Sequence, residues 1–216
     1  MNGHASVFRM MVGVAIFCGF AIAVVYEATG ARIAANRHAL LQAAVASVLP
    51  GVARLEGYRV TDEAIAPESI DRATFIAGYD TTGSFIGVAV PASIVGYQDT
   101  IDMLFGYDPA QQQLTGFAVL QSRETPGLGA KIATDPAFLA SLGALDVMLD
   151  GTELVHDVTL ATREAERRPY QVDGITGATV SSSAVVRAVN NSASRFAEIR
   201  ARIGGLQHAP EGDHAG

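Results

Sequence analysis

The chain has one cysteine, Cys18, no tryptophan, one lysine, Lys131, and only 17% charged residues. A single thiol excludes an intrachain disulfide framework, a cysteine-ligated iron–sulfur cluster and a c-type haem site. Lys plus Arg total 15 against 22 Asp plus Glu, a formal net charge of −7. Such a chain lacks the clustered cations that displace counterions from nucleic acid, so no nucleic-acid partner is expected. Soluble domains usually carry about 25% charge. With 49% hydrophobic residues the chain is too apolar for disorder, and 216 residues suffice for one domain plus an accessory segment. No Ser–His–Asp set and no metal-ligand cluster stands out, so neither a catalytic residue nor a metal site is expected. His4, His208 and His214 sit in terminal segments, His38 on a stalk, and His156 reads as a structural residue inside a strand.

The apolar excess lies at the N-terminus. Met10 to Tyr26 reads MMVGVAIFCGFAIAVVY, 17 residues without a charge. A membrane-spanning helix needs about 20 apolar residues, with roughly 17 as the lower limit. A cleaved signal peptide is the alternative. Against it, the small-x-small site Ala21-Ile22-Ala23 lies inside the apolar run rather than after it. A core helix is less expected, because a helix packed on one side of a domain of this size keeps a polar face and this run has none. Residues 1–30 therefore read as a single transmembrane anchor in which Arg9 and Glu27 cancel. Arg9 before the span and Arg32 and Arg37 after it do not set its orientation.

Residues 31–51 read as a juxtamembrane helix, free of Gly and Pro until Pro50-Gly51 stops it. Residues 52–203 read as one domain. Strands Ala73–Tyr79 and Ser84–Val90 flank the turn Asp80-Thr81-Thr82-Gly83, and Thr100–Tyr107 pairs with Leu114–Gln121 around Asp108-Pro109. Asp135-Pro136 opens a short helix with Asp135 as its cap. Further strands are expected near Ala144–Leu149 and Leu154–Leu160, then one long helix from Ser181 to Ile203. Residues 204–216 read as a disordered tail. The expected fold class is α+β: one N-terminal transmembrane helix, then an antiparallel sheet with packed helices.

Two stretches carry chemistry. In the first, Asp173-Gly174-Ile175-Thr176-Gly177-Ala178-Thr179-Val180-Ser181-Ser182-Ser183, glycines bracket small hydroxyl residues just before a helix. A helix start offers unpaired N–H groups and the positive end of a dipole, which suits a phosphate. The simpler alternative is a loop in which Ser181 or Ser182 only caps the helix. It is not a Walker loop, because the Gly-Lys-Ser/Thr ending is missing. The second stretch is Glu124-Thr125-Pro126-Gly127-Leu128-Gly129-Ala130-Lys131. Pro126 and two glycines make a tight exposed loop that a planar ligand can approach closely. Lys131 is either part of that loop's chemistry or a solvated surface charge.

Asp-Gly-Ile-Thr-Gly-Ala-Thr closely resembles the flavinylation motif of the FMN-binding domain. That domain occurs in the G-type subunit of the Rnf electron-transport complex and in the C-type subunit of the sodium-translocating NADH:quinone reductase. Glu-Thr-Pro-Gly-Leu-Gly-Ala-Lys resembles the second hallmark of the Rnf protein, and the order, spacing, N-terminal anchor and length match as well. Thr176 stands where Ser is commoner, and Ala130 where several relatives carry an acid.

The resemblance implies FMN bound covalently, its phosphate joined to the Thr179 hydroxyl as a phosphoester, with Thr176 as the second candidate acceptor. Asp173 belongs to the signal read by a separate flavin transferase. Gly174, Thr176, Gly177, Ala178, Ser181 and Ser182 would surround the phosphate. Glu124, Thr125, Pro126, Gly127, Leu128, Gly129 and Lys131 would lie on the flavin side, with Thr125 and Leu128 near the ring. The function implied is that of a membrane-anchored electron carrier in an Rnf-type complex. Such a complex couples electron transfer between ferredoxin and NAD to ion translocation. Its partners would be the other membrane and redox subunits. The chain would sit in the bacterial inner membrane, with its domain on the extracytoplasmic side. Two other readings stand beside it: a flavinylated carrier of a different extracytoplasmic chain, and an anchored binding module without redox chemistry.

Overall fold

The computed structural model describes residues 2–61, 65–161 and 166–203, so the expected tail, 204–216, lies outside the described residues. The chain divides into two compact units between Leu40 and Leu41. The first unit is helical. It is the greater part of α1 (Asn2–Val48), a helix that no proline interrupts. An 18-residue window within Val7–Val48 has a mean hydropathy of 2.3 and none of it is buried. Phe8, Phe17, Phe20 and Ile22 all stand exposed, as does Cys18. A helix apolar on every side belongs in lipid or in a core. The Thr29 hydroxyl donates back to the Val25 carbonyl at 2.7 Å.

The second unit is built on an antiparallel sheet. Its strands are β1 (Arg54–Val60), β2 (Ile65–Glu68), β3 (Phe75–Tyr79), β4 (Phe85–Val95), β5 (Thr100–Asp108) and β6 (Gln113–Gln121), in the order β2-β1-β3-β4-β5-β6. Local turn chemistry sets the hairpins. The Asp80 carboxylate accepts the N–H groups of Thr82 and Ser84 at 2.7 and 2.9 Å, and Asp108 accepts those of Ala110 and Gln111. The β4–β5 register runs from Val88↔Tyr107 to Val95↔Thr100, so both strands end together at a short turn, residues 96–99.

After β6, a 3-10 turn (Gly129–Ala133) leads to α2 (Pro136–Leu142), whose cap Asp135 accepts the Phe138 N–H at 3.0 Å. Short pieces follow: β7 (Leu149–Asp150) pairs with β8 (Glu153–Leu154), and β9 (Thr159–Leu160) with β10 (Gln171–Val172). Then come α3 (Thr179–Asn191) and α4 (Ala193–Arg202). The sheet is covered on both faces. On one, Phe75, Val88, Val90, Met103, Phe105 and Tyr107 pack against α2, α3 and α4, with Tyr107 stacked on Phe196 at 4.7 Å. On the other, Ile76, Ala89 and Leu104 meet Val45, Val48 and Leu49.

That second face is floored with glycine. A Cβ on Gly116 would sit 2.8 Å from the Val48 Cα, and one on Gly78 would sit 2.9 Å from the Leu49 Cδ1. A Cβ on Gly106 would collide with the Val48 carbonyl oxygen. The Thr115 hydroxyl donates to that same carbonyl at 2.7 Å, satisfying one of the acceptors a helix end leaves open. The last turn of α1 therefore rests directly on sheet backbone.

Three local expectations are corrected. The long C-terminal helix breaks at Ser192, where Asn190-Asn191-Ser192 favours local side-chain bonds over helix. The Ser192 hydroxyl donates back to Ala188 at 2.8 Å, and its N–H turns to Val189. The strands expected near 144–149 and 154–160 shrink to two-residue pieces; in the second, Asn190 pairs with both backbone groups of Val158 and takes a neighbouring strand's place. His156 consequently lies in a bend, its ring against Tyr170 at 4.6 Å.

Gly116→Ala tests the glycine floor. The added methyl would press first on the backbone of Val48, at its Cα and carbonyl oxygen, so it is expected to destabilise the full-length protein by about 1–3 kcal/mol, read by chemical denaturation in detergent. Gly83→Ala meets no neighbouring atom and is the strained-turn control.

Candidate functional site

The site forms where three segments meet at one end of the sheet. The first is the 96–99 turn between β4 and β5. The second is the chain leaving β6, and the third is the loop that opens α3. One side chain joins them. Glu124 is 5% exposed. Its Oε1 accepts the N–H groups of Tyr97 and Gln98 at 2.9 and 3.0 Å, and its Oε2 accepts the hydroxyl of Ser181 from the first turn of α3. Two glycines make room for it. A Cβ on Gly96 would lie 2.5 Å from Oε1, and one on Gly129 would overlap Oε2 and lie 2.6 Å from the Ser181 oxygen. Burial pushes this carboxyl up. Donation from Ser181 and from the N–H groups of Gln98, Tyr97 and Asp99 outweighs burial and holds the group below the usual carboxylate range.

Two similar turns then come side by side. Thr125-Pro126-Gly127-Leu128 closes with the Leu128 N–H on the Thr125 carbonyl at 3.1 Å, and Gly127 has φ +74. Proline followed by a left-handed glycine is the type II pattern. Ile175-Thr176-Gly177-Ala178 closes in the same way at 3.0 Å, with Gly177 at φ +81. Leu128 reaches across to it, 3.4 Å from where a Gly177 Cβ would stand.

The opening of α3 bears on the capping alternative. Ala178 holds the cap position and no side chain caps the helix. Ser181 is engaged by Glu124. Ser182 is fully buried, accepting from the Ile175 N–H at 3.4 Å and donating to the Ala178 carbonyl at 3.0 Å. Neither serine caps the helix, so its first turn presents backbone donors without a side-chain acceptor. Thr179 is the first helical residue and is exposed.

Between these segments lies a cleft of about 350 Å³, within the range of small-molecule sites. The structure brings Glu124, Thr125, Leu128 and Gly129 together with Gly177, Ala178, Thr179 and Ser181 on its walls. The other expected residues lie off it. Pro126 and Gly127 shape their turn from outside, Gly174 and Thr176 are exposed beyond it, and Ser182 is buried beneath it. Asp173 faces Arg167 at 3.9 Å, and its N–H donates to the Ser141 hydroxyl at 3.1 Å. The Lys131 side chain is exposed and does not line the cleft.

Two wall residues have no place in the sequence-based expectation, Tyr97 and Val180. Val180 follows Thr179 directly and is within reach of the motif. Tyr97 lies 27 residues from Glu124, and no local spacing links them. Among the described residues no group of three metal-ligating side chains converges.

Ser181→Ala leaves Oε2 of a buried carboxylate without its side-chain donor and is expected to cost about 1–3 kcal/mol in chemical denaturation. The sign of the pH effect follows from the lowered carboxyl. The stabilisation from Glu124 is present above the unfolded-state value and is lost as pH falls through the folded one. The fall of stability with acid, read from urea melts, should therefore be shallower in Glu124→Gln.

Residues 96–194, which begin at the turn carrying Tyr97, match the FMN-binding domain family. The chain is 30% identical over 182 residues to the G-type subunit of an ion-translocating oxidoreductase complex from Methanosarcina acetivorans, covering 84% of this chain and 88% of that one. It is 25% identical over 196 residues to the protein of the same name from Shewanella piezotolerans, covering 88% and 87%. Over 115 residues, 52% of this chain and 50% of the relative, it is 29% identical to the G-type subunit of the Na(+)-translocating ferredoxin:NAD(+) oxidoreductase complex of Acetobacterium woodii. The fold is also similar to that of the C-type subunit of the Na(+)-translocating NADH-quinone reductase from Parabacteroides distasonis. That match has a TM-score of 0.53 at 17% identity and covers 69% of this chain and 78% of the other. Similarity along nearly the whole length of the Methanosarcina relative makes this chain a member of the G-type subunit family of ion-translocating oxidoreductase complexes, built around an FMN-binding domain.

Proposed function

We propose that this chain is a membrane-anchored electron carrier that holds FMN covalently, its phosphate joined as a phosphoester to the Thr179 hydroxyl, within an Rnf-type ion-translocating complex. The observation that carries the reading is the position of Thr179. It is an exposed hydroxyl on the first residue of a helix that no side chain caps, on the wall of a cleft large enough for a flavin. The residues present fit the group. Backbone donors of the first turn of α3 and the helix dipole would face the phosphoester charge. Leu128 and Val180 offer exposed apolar surface to a flat ring. When bound, FMN supplies one- and two-electron redox chemistry that no side chain here can provide.

The chain's own residues bind and place that group. Glu124 holds the phosphate end and the ring end of the cleft at a fixed separation through Ser181 and the 96–99 turn. The turns at Gly127 and Gly177 bring backbone close to the ligand. A tether at Thr179 removes the dissociation equilibrium, so a domain outside the cytoplasm need not recapture the cofactor.

Maturation would need a flavin transferase. Asp173 is half-exposed, and Gly174, Thr176, Gly177 and Thr179 are exposed, so the motif is displayed where a second protein can read it. Residues 1–30 would form the anchor, 31–51 the juxtamembrane helix and 52–203 the flavin domain, facing the extracytoplasmic side of a bacterial inner membrane. The other redox and membrane subunits would exchange electrons with it, between ferredoxin and NAD, as the name of the Acetobacterium relative states for that protein's complex.

Coexpression with a flavin transferase should give a fluorescent band on a denaturing gel, and mass spectrometry of the peptide containing Thr179 should show the added FMN phosphoryl mass. Thr179→Ala is expected to lose the band and Thr176→Ala to keep it. A band that survives Thr179→Ala would move the acceptor elsewhere.

A further inference from the structure

Among the described residues beyond α1, Tyr97 is the one exposed Phe or Tyr, at 70% exposure. The domain buries or half-buries every other described Phe and Tyr, so this ring stands apart. Its backbone is nevertheless fixed. The Tyr97 N–H is held by the Glu124 carboxylate at 2.9 Å, and the Gly96 N–H closes the turn on the Asp99 carbonyl at 2.9 Å. Arg187 of α3 donates to the Val95 carbonyl at 3.3 Å from the other side. Leu128 and Val180, 49% and 50% exposed, share the cleft with it. An exposed aromatic ring on a pinned backbone, sharing a cleft with exposed aliphatic side chains, is arranged for a flat aromatic ligand.

We propose that Tyr97, which lies outside both flavin motifs, is a ring-contacting residue: it stacks on the isoalloxazine and fixes the plane of the ring between itself and Leu128. The proposal rests on the reading that FMN occupies this cleft. It adds a division of labour. A phosphoester at Thr179 tethers one end of the cofactor but leaves the ring free to swing about the ribityl chain. Tyr97 removes that freedom from the opposite end. Glu124 then has a wider role, because the carboxylate that sets the start of α3 also sets the height of the tyrosine.

The test uses the full-length flavinylated protein in detergent. A tyrosine in contact with a flavin quenches its emission by lending an electron to the excited ring and taking it back, with no net redox change. Emission per covalently bound flavin is expected to rise severalfold in both Tyr97→Phe and Tyr97→Leu. Flavin anisotropy should stay high in Tyr97→Phe, which keeps the stacking face, and fall in Tyr97→Leu. Denaturing-gel fluorescence gives the flavin load of each sample and should match wild type. Unchanged emission in both variants at equal load overturns the role of Tyr97 alone. A wild-type protein that carries no flavin overturns the proposed function and this inference with it. Should Tyr97→Leu fail to fold, Tyr97→Phe decides through emission.

Discussion

A carboxylate withdrawn from water needs donors in place of the solvent it has lost. Glu124 finds them in two backbone N–H groups of one turn and the hydroxyl of a helix start on another segment. Every wall of the cleft depends on that set. The turn carrying Tyr97, the loop carrying Leu128 and the helix carrying Thr179 come from separate parts of the chain, and this charge is what they share. Charge-assisted bonds are roughly twice as strong as neutral ones, and losing one donor leaves the carboxylate short rather than merely looser. The glycines at 96 and 129 follow from the same requirement, since any side chain there would occupy the carboxylate's place.

The sheet beneath makes this arrangement possible by being covered twice. The helices α2, α3 and α4 seal one face, and Val45, Val48 and Leu49 seal the other. The two covers use different chemistry. The first is an ordinary interdigitated core of aromatic and β-branched side chains. The second is a close approach of helix end to strand backbone, for which the sheet gives up side chains at Gly78, Gly87, Gly106 and Gly116. Glycine inside a strand weakens it. Here the docked helix end supplies the packing those positions lack.

Much of this was legible in the sequence wherever local chemistry decides. Asp80 and Asp108 at their hairpins, and Asp135-Pro136 at its helix, follow short-range rules and stand where those rules put them. The two motifs that meet at the cleft could each be found because each is a continuous run of residues. Other features turn on partners distant in sequence. The shortened strand at Thr159 depends on Asn190 reaching Val158. Glu124 is a further case: as a letter in a motif it reads as a ligand contact, and only folding shows its oxygens engaged by the chain itself. Tyr97 had no local signature at all, because its position comes from the hairpin that returns β5 beside β4.

The bare start of α3 has a consequence for the protein without its ligand. A helix that begins on alanine forgoes about 1 kcal/mol of capping relative to one that begins on serine or aspartate. The adjacent serines do not make good that loss, since both are bound elsewhere. An anion held on the first turn would supply the missing cap and so favour the folded chain. On the proposed reading the melting temperature of this domain would gauge flavinylation: the chain without its phosphoester would be the weaker form, and the more readily cleared one wherever loosely folded proteins are degraded.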